Sequence, residues 1–167
     1  MYDTTIGGSK YIMSTTKVND KQIASFHHQI VELIKKYQFR DRNQTVCCGV
    51  SVSQCYLLET LHTHGALTVN EVAKKMFLSI STITRVVDQL VKKELVSRRE
   101  GVEDRRVRLL ELTEKGHAVY EQSWKMVFQS EKKILEHFPL EQRDLLIDFL
   151  KKLNNAVDDW QACCKQE

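Results

Sequence analysis

Apolar residues recur every three or four positions in several stretches of the chain, which is the spacing of helices with one buried face. The first stretch covers residues 20–38, where Asp20 is a good N-cap. Its apolar stripe consists of Ile23, Phe26, Ile30, Leu33, Ile34 and Tyr37. Polar residues and Gly49 break this spacing in residues 40–50, so this stretch predicts a loop. A second helix follows it, capped by Ser51 or Ser53.

Two shorter helices separated by a tight turn are predicted next. Thr68 with Glu71 three residues later is a capping box, which starts the third helix. Residues 77–78 form the turn, and Ser79 caps the fourth helix. The buried face of that fourth helix consists of Ile83, Val86, Val87 and Leu90. Its other face is polar and is left for solvent or a ligand.

A β-hairpin follows the fourth helix. Residues 95–100 and 106–112 are predicted strands, and the charged residues 101–105 turn between them. Thr113 then caps a long helix running to about residue 137, and Pro139 separates it from a last helix. The predicted fold class is mainly α with a small β-hairpin wing. This winged helix-turn-helix order is typical of proteins that read duplex DNA.

The distribution of charge agrees with a DNA reader. The chain carries a net charge of +3, and residues 68–112, with ten Lys or Arg and seven Asp or Glu, account for all of it. Phosphate binding requires such a local excess of positive charge. The predicted partner is therefore double-stranded DNA.

The polar face of the fourth helix supplies the candidate DNA-binding residues. An α-helix fits the major groove, where short hydroxyls near its N-terminus suit phosphates and longer donors suit base edges. The hydroxyls are Ser79, Ser81, Thr82 and Thr84. The longer donors are Arg85 and Gln89, and the hairpin adds Arg98, Arg105 and Arg106. The alternative is an ordinary amphipathic helix with a solvated face, which the arginine-rich hairpin disfavours.

Two runs in this region carry a family resemblance. LTVNEVAKKMFLSISTITRVVDQLVKKELVSRR and EDRRVRLLELTEKG resemble the MarR family of winged-helix transcriptional regulators. The most specific part is an Asp-x-Arg wing followed by Leu-Thr-x-x-Gly. Its residues here are Asp104, Arg106, Leu112, Thr113 and Gly116.

The resemblance implies a homodimer and a role for the wing. Residues 20–38 and about 114–160 would interlock with a second copy, and two readers related by a two-fold axis would recognise a pseudo-palindromic operator. Arg106 would enter the minor groove, oriented by Asp104, while Arg105 would contact a phosphate. The function implied is that of a repressor released by an effector.

The predicted organisation has four parts. They are a disordered tail in residues 1–19, a dimerisation helix and loop in residues 20–50, the winged helix-turn-helix in residues 51–113, and C-terminal dimerisation helices in residues 114–167. No stretch has the composition of a signal peptide or a membrane span, so a cytoplasmic protein with no membrane partner is expected. The motifs of common enzymes are missing from the sequence, and we expect no enzymatic activity.

Five cysteines are candidates for the effector site. They are Cys47, Cys48, Cys55, Cys163 and Cys164. Three interpretations stay open: incidental or buried thiols, thiolates that bind a soft metal or metalloid as a cofactor, and a redox sensor for an oxidant. A pocket for a small aromatic or lipophilic molecule is a further alternative. So is an interaction or metal-buffering module that keeps this scaffold without reading DNA.

Overall fold

The computed structural model describes residues 17–45, 49–101 and 106–164, and the side chains of residues 42–45, 163 and 164 lie outside that description. Within these residues the chain forms six helices and three short strands. They are α1 (Asp20–Thr45), α2 (Val52–His64), β1 (Leu67–Thr68), α3 (Val69–Lys75), α4 (Ile80–Lys92), β2 (Val96–Glu100), β3 (Arg108–Leu112), α5 (Glu114–Leu135) and α6 (Leu140–Cys164). The predicted mainly helical fold with a small antiparallel wing is confirmed.

The chain divides into two compact units, residues 1–40 and residues 41–167. The first unit contains most of α1, and the second contains every element from α2 onward. None of the helices in the described residues is long and apolar enough to cross a membrane.

Helix α1 differs from its prediction at both ends. Its cap is Asn19 and not Asp20, because the Asn19 side chain accepts a hydrogen bond from the backbone N–H of Gln22 at 2.9 Å. The helix continues to Thr45, so the loop predicted for residues 40–50 is wrong over its first half. Residues 40–45 are polar but contain neither Pro nor Gly, so no residue there breaks the helix, and the Asp41 side chain is buried and accepts a hydrogen bond from Tyr56.

The capping predictions for α2, α3, α4 and α5 are confirmed. Their N-caps are Ser51, Thr68, Ser79 and Thr113, and each side chain accepts a hydrogen bond from a backbone N–H three residues later. The strand β1 was not predicted, because two residues are too few for an alternating pattern. It pairs with β3, and β3 pairs with β2, which gives the sheet order β1-β3-β2.

The core lies where α2, α3 and α4 meet the sheet. Fully buried leucines of α2 pack with the inner faces of α3 and α4 and with β2 and β3. The four residues predicted for the inner face of α4 are all buried. This packing fixes α4 on its apolar side and leaves its polar side exposed.

The start of α5 is held by close contacts to the backbone of Glu94 and Leu95, the residues that follow α4. The Thr113 hydroxyl donates to the Glu94 carbonyl oxygen at 2.7 Å, and the Thr113 N–H donates to the Leu95 carbonyl oxygen at 3.2 Å. One turn later Gly116 lies against Leu95 so closely that a Cβ there would stand 2.0 Å from the Leu95 carbonyl oxygen. Only glycine fits this position of α5.

Large apolar side chains remain exposed on the long helices of the single chain. On α5 and α6 they include Trp124, Phe128, Leu145, Phe149 and Trp160. On α1 they include Ile23, Phe26, Leu33 and Ile34. Exposed apolar surface of this extent is typical of protein interfaces.

We predict that Gly116→Ala destabilises the protein. In an ordinary helix interior this change stabilises by about 1 kcal/mol, whereas the clash with a backbone carbonyl should cost about 1–3 kcal/mol. Urea unfolding measures the sign. Lys125→Ala, at an exposed position of the same helix, is the control and should stay within about 0.5 kcal/mol of the unsubstituted protein. A stabilised Gly116→Ala variant would contradict the close approach.

Candidate nucleic-acid interface

Hydroxyl groups cluster at the N-terminus of α4. The Ser79 Oγ accepts from the Thr82 backbone N–H at 3.2 Å and lies 2.8 Å from the Thr82 Oγ1 and 3.0 Å from the Ser81 Oγ. The predicted hydroxyls therefore form one group beside free backbone N–H groups, an arrangement that suits an anion. Thr84 differs, because its hydroxyl donates to the Ile80 carbonyl oxygen at 2.8 Å and keeps only acceptor capacity.

The exposed face of α4 continues with three longer side chains that differ in how they are held. Arg85 is exposed, and within the described residues its guanidinium meets no carboxylate or other hydrogen-bond acceptor. Asp88 accepts from the Nη2 of Arg98 at 2.5 Å, which ties α4 to β2. Gln89 is held on its other side by α2. Because its guanidinium has no such partner within the described residues, Arg85 retains all of its donors for a ligand.

The contact between Gln89 and α2 is part of a small polar network. Gln54, which is only 4% exposed, donates from its Nε2 to the Gln89 Oε1 at 2.8 Å. The Gln54 Oε1 accepts from the Lys93 Nζ at 2.9 Å, and the same ammonium donates to the Gly49 carbonyl oxygen at 2.7 Å. These bonds join the C-terminal end of α4 to Gln54 in α2 and to Gly49, which precedes α2.

The arginines along the wing are mostly engaged by carboxylates. Arg99 contacts Glu111 at 2.6 Å, and Arg108 contacts Glu100 at 3.2 Å across the β2–β3 pair. Arg98 is the partner of Asp88. These pairs are partly exposed, so each contributes little to stability, but together they shape the wing.

The tip of the wing is only partly described. Arg106 is exposed and lies in the turn that precedes β3. Asp104 and Arg105, the other two residues predicted at the tip, lie outside the described residues. The orientation of Arg106 by Asp104 stays a prediction.

The sequence of this chain is similar to that of known proteins. Residues 50–107 match the model of the MarR family. The transcriptional regulator YdgJ of Bacillus subtilis is 32% identical over 146 residues, which cover 84% of this chain and 88% of that relative. The chain belongs to the MarR family. Members of this family are transcriptional regulators and not enzymes, and membership implies DNA binding and dimerisation.

A solved structure and a second relative agree with this assignment. A MarR family protein from Bacillus stearothermophilus superposes with a TM-score of 0.77 at 27% identity, covering 85% of this chain and 99% of that one. The transcriptional repressor MdtR of B. subtilis is 38% identical over 74 residues, which cover 44% of this chain and 48% of MdtR. The MarR fold accounts for the whole order of elements from α1 to α6.

The candidate sensor cysteines are not brought together in the described part of the chain. Cys55 is half-buried on α2 and packs against the hydrophobic core. Cys47 and Cys48 lie outside the described residues, and Cys163 and Cys164 are described only as the backbone end of α6. Among the residues described, no group of three or more His, Cys, Asp or Glu side chains could hold a metal ion.

An open cleft of about 470 Å³ runs between α2 and the end of α3. It is lined by Ser53, Tyr56, Glu59, Thr60, Thr63, His64, Lys75, Met76 and Leu78. The Tyr56 hydroxyl donates to Asp41, and partial burial followed by the charge of Asp41 raises the pKa of the Glu59 carboxyl. The cleft therefore combines an aromatic and apolar wall with groups of both charges.

Gln54, Asp88 and Lys93 take part in this site but were not predicted for it. A signal for Gln54 was present in the sequence, since it continues the stripe of Leu57, Leu58 and Leu61. A polar residue on a buried stripe requires a partner, because an unsatisfied buried amide is costly. The partner is 35 residues away, and local patterns do not identify it.

We predict that Asp88→Asn strengthens DNA binding. The change removes a negative charge from the face that carries Arg85 and releases Arg98 from its carboxylate. If Arg98 then contacts a phosphate, the slope of log K against log salt should steepen by about one. Asp148→Asn, which removes the same charge beside Lys151 on α6, is the matched control. Unchanged affinity and salt slope would mean that this pair lies away from DNA.

Proposed function

We propose that the protein is a homodimeric, sequence-specific repressor that places α4 in the major groove of each half-site. The observation that supports this proposal is the exposed face of α4. There the guanidinium donors of Arg85 have no partner within the described residues, whereas Gln89 is hydrogen-bonded to α2 and Asp88 to β2. An arginine with five donors in a planar fork is the commonest reader of guanine in the major groove. The hydroxyl cluster at Ser79 would bind the flanking phosphate.

The wing and the dimer complete the proposed interface. Arg106 at the wing tip would enter the adjacent minor groove, where a narrow A·T-rich segment attracts a guanidinium. Two readers related by a two-fold axis would meet half-sites about 34–36 Å apart, so the operator would be pseudo-palindromic. The exposed apolar faces of α5 and α6 support a partner of the same kind, because a second copy would bury them. The similarity to MdtR, a transcriptional repressor, supports repression.

We predict that Arg85→Ala and Arg106→Ala each weaken operator binding and that the double variant abolishes it. Loss of a base contact at Arg85 should cost about 1–3 kcal/mol and relax the sequence preference at one position. Fluorescence anisotropy with the upstream DNA of the gene measures both effects. The control is Lys133→Ala, which removes one positive charge at the far end of α5. A double variant with unchanged affinity would favour an interaction module that does not read DNA.

The proposed release signal acts through the cysteines. Two or three thiolates suit a soft metal or metalloid such as arsenite, and a thiol of low pKa followed by a second thiol suits an oxidant. Cys47 and Cys48 lie shortly before α2 in the sequence, and Cys55 lies within it. A change in the thiols would therefore act at the helix that holds Gln89.

We predict that the double change Cys47→Ser and Cys48→Ser leaves DNA affinity intact and removes the response to the inducer. Reduced protein bound to labelled operator is titrated with arsenite and, separately, with hydroperoxide. Release near one equivalent of arsenite per site supports the metalloid, and release only by hydroperoxide supports the redox sensor. The same change at Cys163 and Cys164, the other candidate pair, tests whether the response depends on that pair instead. A Cys47/Cys48 variant that still responds fully would exclude that pair.

The cleft beside α2 favours a second candidate signal, a small aromatic acid. Tyr56, Met76 and Leu78 would cover a ring, and Lys75 would pair with its carboxylate. Release of DNA by benzoate, prevented by Lys75→Met and unaffected by the cysteine changes, would favour this alternative over the thiols.

A further inference from the structure

The buried amide of Gln54 can be oriented in only one way. The Lys93 ammonium and the Ser51 backbone N–H lie 2.9 Å and 3.1 Å from one side of the amide. Both groups are donors and neither can accept. That side of the amide must therefore be the carbonyl oxygen, and the NH₂ group must face the other way, toward α4.

The orientation of Gln54 in turn fixes the orientation of Gln89. An amide NH₂ can only donate, so the group of Gln89 that lies 2.8 Å from the Gln54 Nε2 must be its carbonyl oxygen. The NH₂ group of Gln89 is then the end of the side chain left for a ligand. Within the described residues no acceptor is recorded for it. The Lys93 ammonium therefore fixes the orientation of the buried Gln54 amide. That amide in turn fixes which end of the Gln89 side chain is presented at the surface of α4.

A glutamine held in this way differs from a free one in what it reads. A free glutamine recognises adenine with both ends, accepting from N6 and donating to N7. A glutamine that has turned its oxygen inward presents donors alone. In the major groove guanine offers two acceptors, O6 and N7, and cytosine offers only a donor at N4.

We propose that Gln54 is a positioning residue that makes Gln89 a hydrogen-bond donor to DNA and so selects guanine over adenine and cytosine at one position of each half-site. The proposal rests on the proposed function, since it requires α4 to lie in the major groove. Gln54 itself touches no base. Its contribution is to fix a flexible side chain before binding, which lowers the entropy lost when the complex forms.

The test reverses the polarity with an isosteric change. In Gln54→Glu the carboxylate still accepts from Lys93 and Ser51, but it presents an acceptor to Gln89 in place of a donor. The Gln89 amide should rotate by half a turn, donate inward and expose its oxygen, which suits cytosine or adenine. Affinities are measured for operators carrying each of the four bases at every position of a half-site. The ratio of guanine to cytosine affinity should fall by about ten-fold at one position.

Two further variants keep the test decisive. Gln54→Met keeps the volume and removes the hydrogen bond, so Gln89 becomes free to read adenine and the guanine-to-adenine ratio should fall. In a Gln89→Ala background, Gln54→Glu should change no base ratio. Circular dichroism establishes that each variant is folded.

The outcomes separate the inference from the proposed function. A shift in preference at one position that vanishes in the Gln89→Ala background supports the role of Gln54. An equal loss of affinity for all four bases in both Gln54 variants would overturn it and make Gln54 a purely structural residue. If the unsubstituted protein shows no sequence-specific binding, the proposed function itself fails, and the role of Gln54 fails with it.

Discussion

The close approach of Gly116 to the carbonyl oxygen of Leu95 is the contact on which the position of the exposed face of α4 relative to α5 depends. It lets the long helix α5 start directly against Glu94 and Leu95, the residues that follow α4, where Thr113 caps α5 and its hydroxyl donates to the Glu94 carbonyl oxygen. Since backbone meets backbone, the junction has little freedom to adjust. A movement of α5 within the dimer would therefore be passed to α4 as a rigid-body change and not absorbed by a loop.

The exposed side chains of α4 differ in how they are held, and this difference bears on the proposed DNA binding. Asp88 and Gln89 are held by Arg98 and Gln54, so their positions are set before any ligand arrives. Arg85 is not held in this way within the described residues. Side chains fixed in advance favour specificity because less entropy is lost on binding, whereas a mobile arginine can adapt to a base or a phosphate. The proposed interface would combine both kinds of contact.

Local patterns in the sequence predicted most of the fold, and long-range contacts account for what they missed. The caps at Ser79 and Thr113 and the inner face of α4 follow from short-range rules, because a cap and its partner lie three residues apart. The sequence did not predict that α1 continues to Thr45, because polar residues are compatible both with a loop and with a helix. The partner of Gln54 was unpredictable for a different reason: a hydrogen bond across 35 residues leaves no periodic trace.

Helix α2 is the element that the proposed signals have in common. One of its faces lines the cleft through Tyr56 and Thr60, while its start follows Cys47 and Cys48 and carries Gln54 on the inner side. A ligand in the cleft and a reaction at the thiols would both act on the same short helix. A hydrogen bond weakens steeply once its length exceeds about 3.5 Å, and the bond from Gln54 to Gln89 measures 2.8 Å. A displacement of α2 by about one ångström would therefore release Gln89, so the same small movement would lower both affinity and base preference.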